Sequence, residues 1–368
     1  MVSTNKLRLA RRKRGVEASR DDTPGISPTD IATHNSRAAL EILRRAGPQT
    51  RLELSTHLQL TEPAIAGIMT RLLEAGHVMQ RKRAGTGRYV STEYLLIPES
   101  AFAVGLRWSA ATGGKAALID LAGRVVATEG FLSLGEAGRA VEALLEIDGR
   151  AKRCRGLAVA LSPDLPAAAV EALSLPEGFA LRLIEETEAA VIAERMLGVG
   201  QRDGGIVVIL VGKAVRAGLL IGGKPFKGEH GRAGNIGAMR TGHDRVPLDE
   251  VLGMSVQPAF IRPGENSDPV TLGRWADMAA DHLKDAIIAV GGFLSPGLIL
   301  IGGDLSEEAL DAMIGRVNRL TREFIASFSV PELVRTHFSD GGTAEGAAVG
   351  VFLGDLLPEV ATMDARED

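Results

Sequence analysis

Beyond Pro98 the chain runs twice through one order of elements: strand, strand, strand, helix, strand, helix. No other feature limits the fold as much. In the first round, apolar runs at residues 102–106, 115–120 and 124–127 predict three strands, with Leu121-Ala122-Gly123 as a turn. Residues 141–147 belong to an amphipathic helix, 156–161 to a buried strand, and 188–197 to a helix ended by Gly198. In the second round, Gly204-Gly205 opens a strand at 206–211, and 216–221 follows with Gly222-Gly223 as its turn. A long helix over 274–290 is expected to turn Trp275, Met278, Leu283, Ile287 and Val290 inward. A strand at 298–303, a helix over 306–328, a final strand and a helix over 343–353 complete it. Two related α/β halves would leave a cleft between them, a common place for ligands.

The N-terminal quarter follows a different pattern. A helix is expected over 30–46, with Ile31, Ala38, Leu40, Ile42 and Leu43 apolar and Gly47-Pro48 as its stop. Residues 50–75 read as two helices joined by the short connection Gln59-Leu60. Leu52, Leu54 and Leu58 are the apolar residues of the first; Ile65, Ile68, Met69 and Leu72 line one face of the second. Thr61 stands at the N-cap position and Pro63 in the first turn. After Gly76 come a strand, the basic loop Arg81-Lys82-Arg83-Ala84-Gly85-Thr86-Gly87-Arg88 and a second strand. A helix-turn-helix followed by a hairpin with a cationic tip is a winged helix, and such a tip can lie along phosphates or enter a minor groove. The second helix would present Thr61, Glu62, Ala66, Gly67, Thr70 and Arg71 to base edges. That is a poor set of hydrogen-bonding groups, so the wing and the basic residues before Glu17 are expected to add much of the affinity. A helical hairpin buried in a core and a merely solvated turn remain the bland alternatives.

Charge distribution favours the nucleic-acid reading. The 368 residues carry a net charge of −4, but residues 1–96 hold 16 Lys and Arg against 9 Asp and Glu, and the rest 26 against 37. A basic front on an acidic body fits a nucleic-acid-binding module fused to a soluble body. The single cysteine, Cys154, excludes an intramolecular disulfide and a cysteine-rich metal cluster. No apolar run is long enough to span a bilayer and no apolar h-region follows the N-terminal cations, so a cytoplasmic protein is expected.

Three stretches resemble the ROK family of repressors, open reading frames and sugar kinases. They are Gly218 to Gly228 with Gly231-Arg232-Ala233-Gly234-Asn235-Ile236-Gly237, then Ser295 to Ser306, then Gly341-Gly342-Thr343-Ala344-Glu345-Gly346-Ala347-Ala348. The segment from Asn35-Ser36-Arg37 to Gly87-Arg88 is similar to the winged helix of the family's repressor branch, such as the N-acetylglucosamine- and xylose-responsive repressors. The likeness covers roughly residues 31–353. It implies a two-lobed actin-like, sugar-kinase-like (ribonuclease H-like) α/β body behind an N-terminal winged helix-turn-helix. It also implies sugar binding in the cleft and operator binding by paired winged helices.

The catalytic features that the family implies are degenerate. Arg107 stands where the first phosphate motif has its acid, and Arg216 stands inside the second phosphate loop, Gly212 to Gly218. Lys213 and Arg216 either attract some other anion or simply fill a vacated cleft. Glu186 falls at the position of the catalytic base, with Glu185 and Glu188 at neighbouring asparagine positions. The bland reading makes these the acidic first turn of a helix. Gly234-Asn235-Ile236-Gly237-Ala238 matches the sugar-contact motif without its histidine, for which His230 is the nearby candidate. The zinc run is replaced by His243 to Glu250, which lacks thiolates, so no zinc is expected.

The expected organisation is a basic flexible arm (1–29), a winged helix-turn-helix (30–97), a first lobe (98–200), a second lobe (201–356) and a flexible tail (357–368). The expected function is a DNA-binding regulator, a repressor, forming a homodimer or homotetramer, with no cofactor and no enzymatic activity. Its DNA contacts would be Arg51, Thr61, Glu62, Ala66, Thr70, Arg71, Arg81, Lys82, Arg83 and Arg88. A sugar or sugar-derived effector would meet Glu186, Glu188, His230, Gly234 and Asn235. Two alternatives stay open: a sugar kinase with an appended DNA-binding domain, and an effector-independent DNA-binding dimer.

Overall fold

The computed structural model describes residues 28–83, 91–147, 149–200, 202–254, 261, 268–324 and 330–359. The expected arm up to residue 27, Arg88 within 84–90, and the tail from 360 lie outside the described residues.

The chain begins with α1 (Pro28–Ala46), β1 (Gln49–Thr50), α2 (Arg51–Leu58), α3 (Glu62–Glu74), β2 (Val78–Lys82) and β3 (Thr92–Leu96). A capping box starts α2. Thr50 Oγ1 accepts from the Glu53 amide at 3.3 Å, and the Thr50 amide donates to Glu53 Oε2 at 2.7 Å. Gln59, at φ 53°, ends α2 in the left-handed region and turns the chain toward α3. Thr61 precedes α3 with extended backbone, but its side chain makes no cap hydrogen bond. Leu40, Leu43, Leu54, Leu58, Ile65, Ile68, Met69, Leu72, Val78 and Tyr94 are buried together. Leu52 and Ile31 depart from the sequence reading: they are exposed, because the packed stripes run through Leu54 and Leu58 and through Leu40 and Leu43. The strands form an antiparallel sheet in the order β1-β3-β2.

The body follows as β4 (Phe102–Ser109), β5 (Gly113–Asp120), β6 (Val125–Phe131), α4 (Ala137–Leu145), α5 (Arg150–Arg153), β7 (Cys154–Leu161), β8 (Leu181–Glu185) and α6 (Glu186–Met196). Then come β9 (Ile206–Val211), β10 (Val215–Ile221), β11 (Lys224–Pro225), β12 (Arg240–Thr241), β13 (Val246–Pro247), α7 (Leu248–Leu252) and α8 (Pro269–Leu294). β14 (Leu298–Gly303), α9 (Glu307–Phe324), β15 (Leu333–Arg335) and α10 (Thr343–Phe352) close it. The two main sheets have matching topology, β6-β5-β4-β7-β8 and β11-β10-β9-β14-β15. In each, the first three strands in sequence are antiparallel and the last two join in parallel.

Side-chain alternation along the strands builds three layers of core. Ile206, Val208 and Leu210 face a central cluster with α6 and α10, while Val207, Ile209 and Val211 face the cluster of α8 and α9. On the first sheet Ala101 and Ala103 face the centre, and Phe102, Val104 and Leu106 face α4. The central helices sit very close to their neighbours. A Cβ on Gly105 of β4 would lie 1.9 Å from the Ala344 carbonyl oxygen, and one on Gly346 of α10 would lie 1.8 Å from that of Ala189 in α6. So α10, last in sequence, packs on the first sheet as well as α6.

Several expectations need correction. β8 was not foreseen, although Leu181, Leu183 and the buried Ile184 sit on a parallel edge strand beside β7. Met278 is 45% exposed, because the buried face of α8 runs through Trp275, Ala276, Ala279, Ala280 and Leu283. Small alanines, which a search for bulky side chains passes over, set that face. Among the described residues no helix is long and apolar enough to cross a membrane.

Candidate functional site

On the N-terminal unit, α3 buries Ile65, Ile68, Met69 and Leu72 and turns Thr61, Glu62, Gly67, Thr70 and Arg71 to solvent. Ala66 is half-buried between the two faces. Thr70 Oγ1 donates to its own helix at the Ala66 carbonyl, 2.9 Å away, so the hydroxyl hydrogen is already engaged. Arg51 is exposed beside the Tyr94 hydroxyl at 3.4 Å. The hairpin cations divide. Arg81 pairs with Glu93 at 2.5 Å, and Arg83 pairs with Glu53 at 2.6 Å, while Lys82 is exposed. The Arg83 contact, with the Thr50 amide, holds the Glu53 carboxyl down at about 2. The sequence reading placed these cations on DNA and missed that Glu93 lies opposite Arg81 across the β2–β3 ladder. Alternation along β3 gives that pairing once the hairpin register is known.

The second region is the cleft between the two sheets, at the carboxyl ends of β4, β9 and β14. Arg107 near the end of β4 meets Asp304, the residue after β14, at 2.5 Å. Ser109 Oγ and Thr112 Oγ1 donate to the same carboxylate at 2.6 and 3.1 Å. Burial pulls the Arg107 guanidinium toward losing its proton, but Asp304 and Asp340 outweigh it and leave it raised. Lys115 Nζ lies 3.0 Å from Asp340 and 2.5 Å from Glu345. Burial and the neighbouring Asp340 charge push the Glu345 carboxyl up, and its Oε2 has no hydrogen-bond partner. A cavity of about 330 Å³ opens here, lined by Arg107, Thr112, Lys115, Glu129, Asp304 and Asp340 among others. Sequence reasoning named Arg107 but missed Lys115 on β5 and the pair Asp340 and Glu345 around the start of α10, two segments far apart in the chain. The signal for Asp304 was present: an acid directly after the glycine pair that ends a parallel strand.

The expected effector residues are only partly gathered. Glu186 starts α6 almost buried, with Arg216 of β10 at 3.6 Å. Desolvation raises its carboxyl to about 7; Arg216 opposes this and the Asp304 charge adds to it. Glu188 pairs with Lys227 at 2.7 Å and lines a cavity of only about 30 Å³ with Phe226 and Gly231. Gly234, at φ +76°, lies against β10, where a Cβ would meet the Ala217 carbonyl at 1.8 Å. Asn235 is exposed, and neither it nor Gly234 lines that cavity. His230 is 73% exposed and pairs with Glu229 at 3.4 Å, outside the cavity. Small-molecule sites run to about 300–1,000 Å³; of these two cavities, lined by described residues, the one beside Arg107 reaches that size and the one around Glu188 does not. Among the described residues no group of three His, Cys, Asp or Glu side chains is placed to hold a metal ion. Over residues 240–247 the paired β12 and β13 are fastened instead by Thr241 Oγ1 and His282 Nδ1 at 3.1 Å.

No protein-family model matches the chain. The uncharacterized protein y4fQ of Sinorhizobium fredii is 23% identical over 307 residues, covering 74% of this chain and 78% of its own. Among solved structures, a ROK family transcriptional regulator, described as a homolog of the E. coli MLC protein, matches with a TM-score of 0.64 at 19% identity. It covers 87% of this chain and 96% of its own. A putative sugar kinase from Cytophaga hutchinsonii matches at 0.52 and 16% identity, covering 69% of this chain and 100% of its own. A ROK family glucokinase from Streptomyces griseus, solved with glucose and AMPPNP, matches at 0.50 and 15% identity, covering 68% and 98%. At these identities the likeness is one of fold.

Proposed function

We propose that this chain, which has the ROK fold, is a DNA-binding transcriptional regulator, a repressor, in which residues 30–97 act as a winged helix-turn-helix. The observation that carries this reading is α3: one face is buried in its own unit and the other, with Thr61, Glu62, Thr70 and Arg71, is turned to solvent beside the β2–β3 hairpin. Coverage by the regulator fold, 87% against 69% and 68% for the Cytophaga hutchinsonii and Streptomyces griseus kinase structures, supports it, because the extra share is of the size of this unit. In this reading Arg71 and Lys82 contact phosphates, Arg51 flanks them, and Arg81 and Arg83 chiefly stiffen the hairpin through Glu93 and Glu53. A second copy of the chain would supply the second half-site contact.

Phosphoryl transfer is disfavoured by Arg107, whose guanidinium lies at 2.5 Å from Asp304 where a nucleotide-binding kinase needs room for phosphate. An effector, a sugar or sugar derivative, would enter the cleft near Glu186, Glu188 and Asn235, where the cavity of about 30 Å³ beside Glu188 must widen to admit it. It would gate DNA binding in proportion to its preference for one of two body conformations. At Glu188 it must first displace Lys227.

The test is fluorescence anisotropy of the full chain on the duplex upstream of its own gene, with excess nonspecific competitor and a panel of sugars. Tight binding that one sugar weakens is the expected result. Binding no tighter than to nonspecific DNA, both on this duplex and on every sequence recovered by a genome-wide selection, would overturn the reading; ATP-dependent hexose phosphorylation would favour the kinase alternative.

A further inference from the structure

We propose that Arg107 and Asp304 form a latch that ties the two halves together at the floor of the cleft by the chain's own charges, without any ligand. The two residues belong to opposite halves: Arg107 to β4 of the first sheet, Asp304 to the end of β14 in the second. Among the described residues, three side-chain donors meet the Asp304 carboxylate, and they come from one short stretch of the first half. Arg107 Nη2 and Thr112 Oγ1 share Oδ1, at 2.5 and 3.1 Å, and Ser109 Oγ takes Oδ2 at 2.6 Å. Sliding the sheets apart by an ångström or two therefore breaks all of these contacts together.

The charges are nearly out of solvent, with 14% exposure for the Arg107 side chain and 4% for that of Asp304. Both border the cavity of about 330 Å³, so parting them costs the attraction between two largely desolvated charges, offset in part by water from that cavity. Further ion pairs join the two halves, among them Arg216–Glu186 and Lys227–Glu188, and two lie close to the latch. Lys115 of β5 meets Asp340 beyond β15 at 3.0 Å, and Lys213 of the β9–β10 turn meets Asp164 beyond β7 at 3.5 Å. Lys213 is 54% exposed, so its pair is a weak rim contact. Backbone geometry fits a fixed closure point. The Asp304 amide donates to the Val211 carbonyl at 2.7 Å and the Gly303 amide to Ser339 at 3.0 Å, which stiffens the Asp304 side of the latch.

Hydrogen–deuterium exchange of the full chain, free of DNA, reads the latch directly. Arg107→Met and Asp304→Asn should each speed exchange in peptides spanning 107–115 and 302–306 by about tenfold or more, with α1–α3 and α4 unchanged. The swap Arg107→Asp with Asp304→Arg should restore slow exchange. Thr112→Val removes one donor, disturbs the fold least, and should give a smaller acceleration in the same peptides. Wild-type exchange in Thr112→Val and in every single variant that folds would overturn the latch. So would acceleration spread evenly over the whole chain, or a swap no slower than the single variants. Failure of DNA binding appears only in the anisotropy experiment and leaves this result unaffected.

Discussion

Glu186→Gln should stabilise the protein at pH 8 and leave it unchanged at pH 4. The carboxyl begins α6 with 19% of its side chain exposed, and its proton is held to about 7 against the ordinary 4.5. Desolvation is the main cause, and the Arg216 guanidinium at 3.6 Å offsets it only in part. A raised folded-state value means that the folded chain binds this proton more tightly than the unfolded chain. The contribution is therefore fully present below pH 4.5 and is lost as pH rises to about 7. At about 1.36 kcal/mol for each pH unit between the two values, the loss is about 3 kcal/mol. Glutamine keeps the shape and never ionises. Urea unfolding followed by the fluorescence of Trp108 and Trp275, at pH 4 and pH 8, compares the two proteins. Because Glu345 and Glu194 are raised as well, the difference between variant and parent, not the parent's own pH profile, isolates Glu186. If Glu186→Gln were less stable than the parent at pH 8, attraction to Arg216 would outweigh burial and the reasoning would fail.

Three other substitutions probe separate parts of the fold. Gly105→Ala places a methyl group on the Ala344 carbonyl, so it should separate β4 from α10 and cost more than about 3 kcal/mol, seen as a large fall in the urea midpoint or as insoluble protein. Thr50→Ala opens the capping box of α2 and should cost about 1 kcal/mol by the same measurement, with no effect on the body's far-UV signal. Lys82→Ala should lower the salt dependence of DNA binding by about one ion, whereas Arg81→Ala, which removes a cation already held by Glu93, should lower it less.

The repeated order of elements after Pro98 was legible because strand periodicity and glycine turns are local signals, and the two sheets do share one topology. The helices around Leu54 and Ile65 were legible for the same reason. What escaped was set by distant partners. β8 carries only five residues and two exposed leucines, so nothing in its own sequence separates it from a loop until β7 lies beside it. Lys115 is far in the chain from Asp340 and Glu345, and each is an ordinary charged residue in isolation. The same holds for the hairpin arginines. Composition counts a cation, but only the register of β2 and β3 shows that Glu93 answers Arg81.

The central helices bear on how far this chain can be taken apart. α6 and α10 both start at the cleft and both finish against α1. Arg44 Nη1 donates to the Met196 carbonyl at the end of α6, and Arg37 Nε to the Asp355 carbonyl just beyond α10. Leu353, Leu356 and Leu357 belong to the same apolar cluster as Leu40 and Leu43. A cut at the junction near Pro98 would therefore run through a shared core, and each fragment would carry a bare hydrophobic face. The N-terminal unit is not a detachable cassette: grafting it onto another body, or expressing either part alone, calls for redesign of that face first.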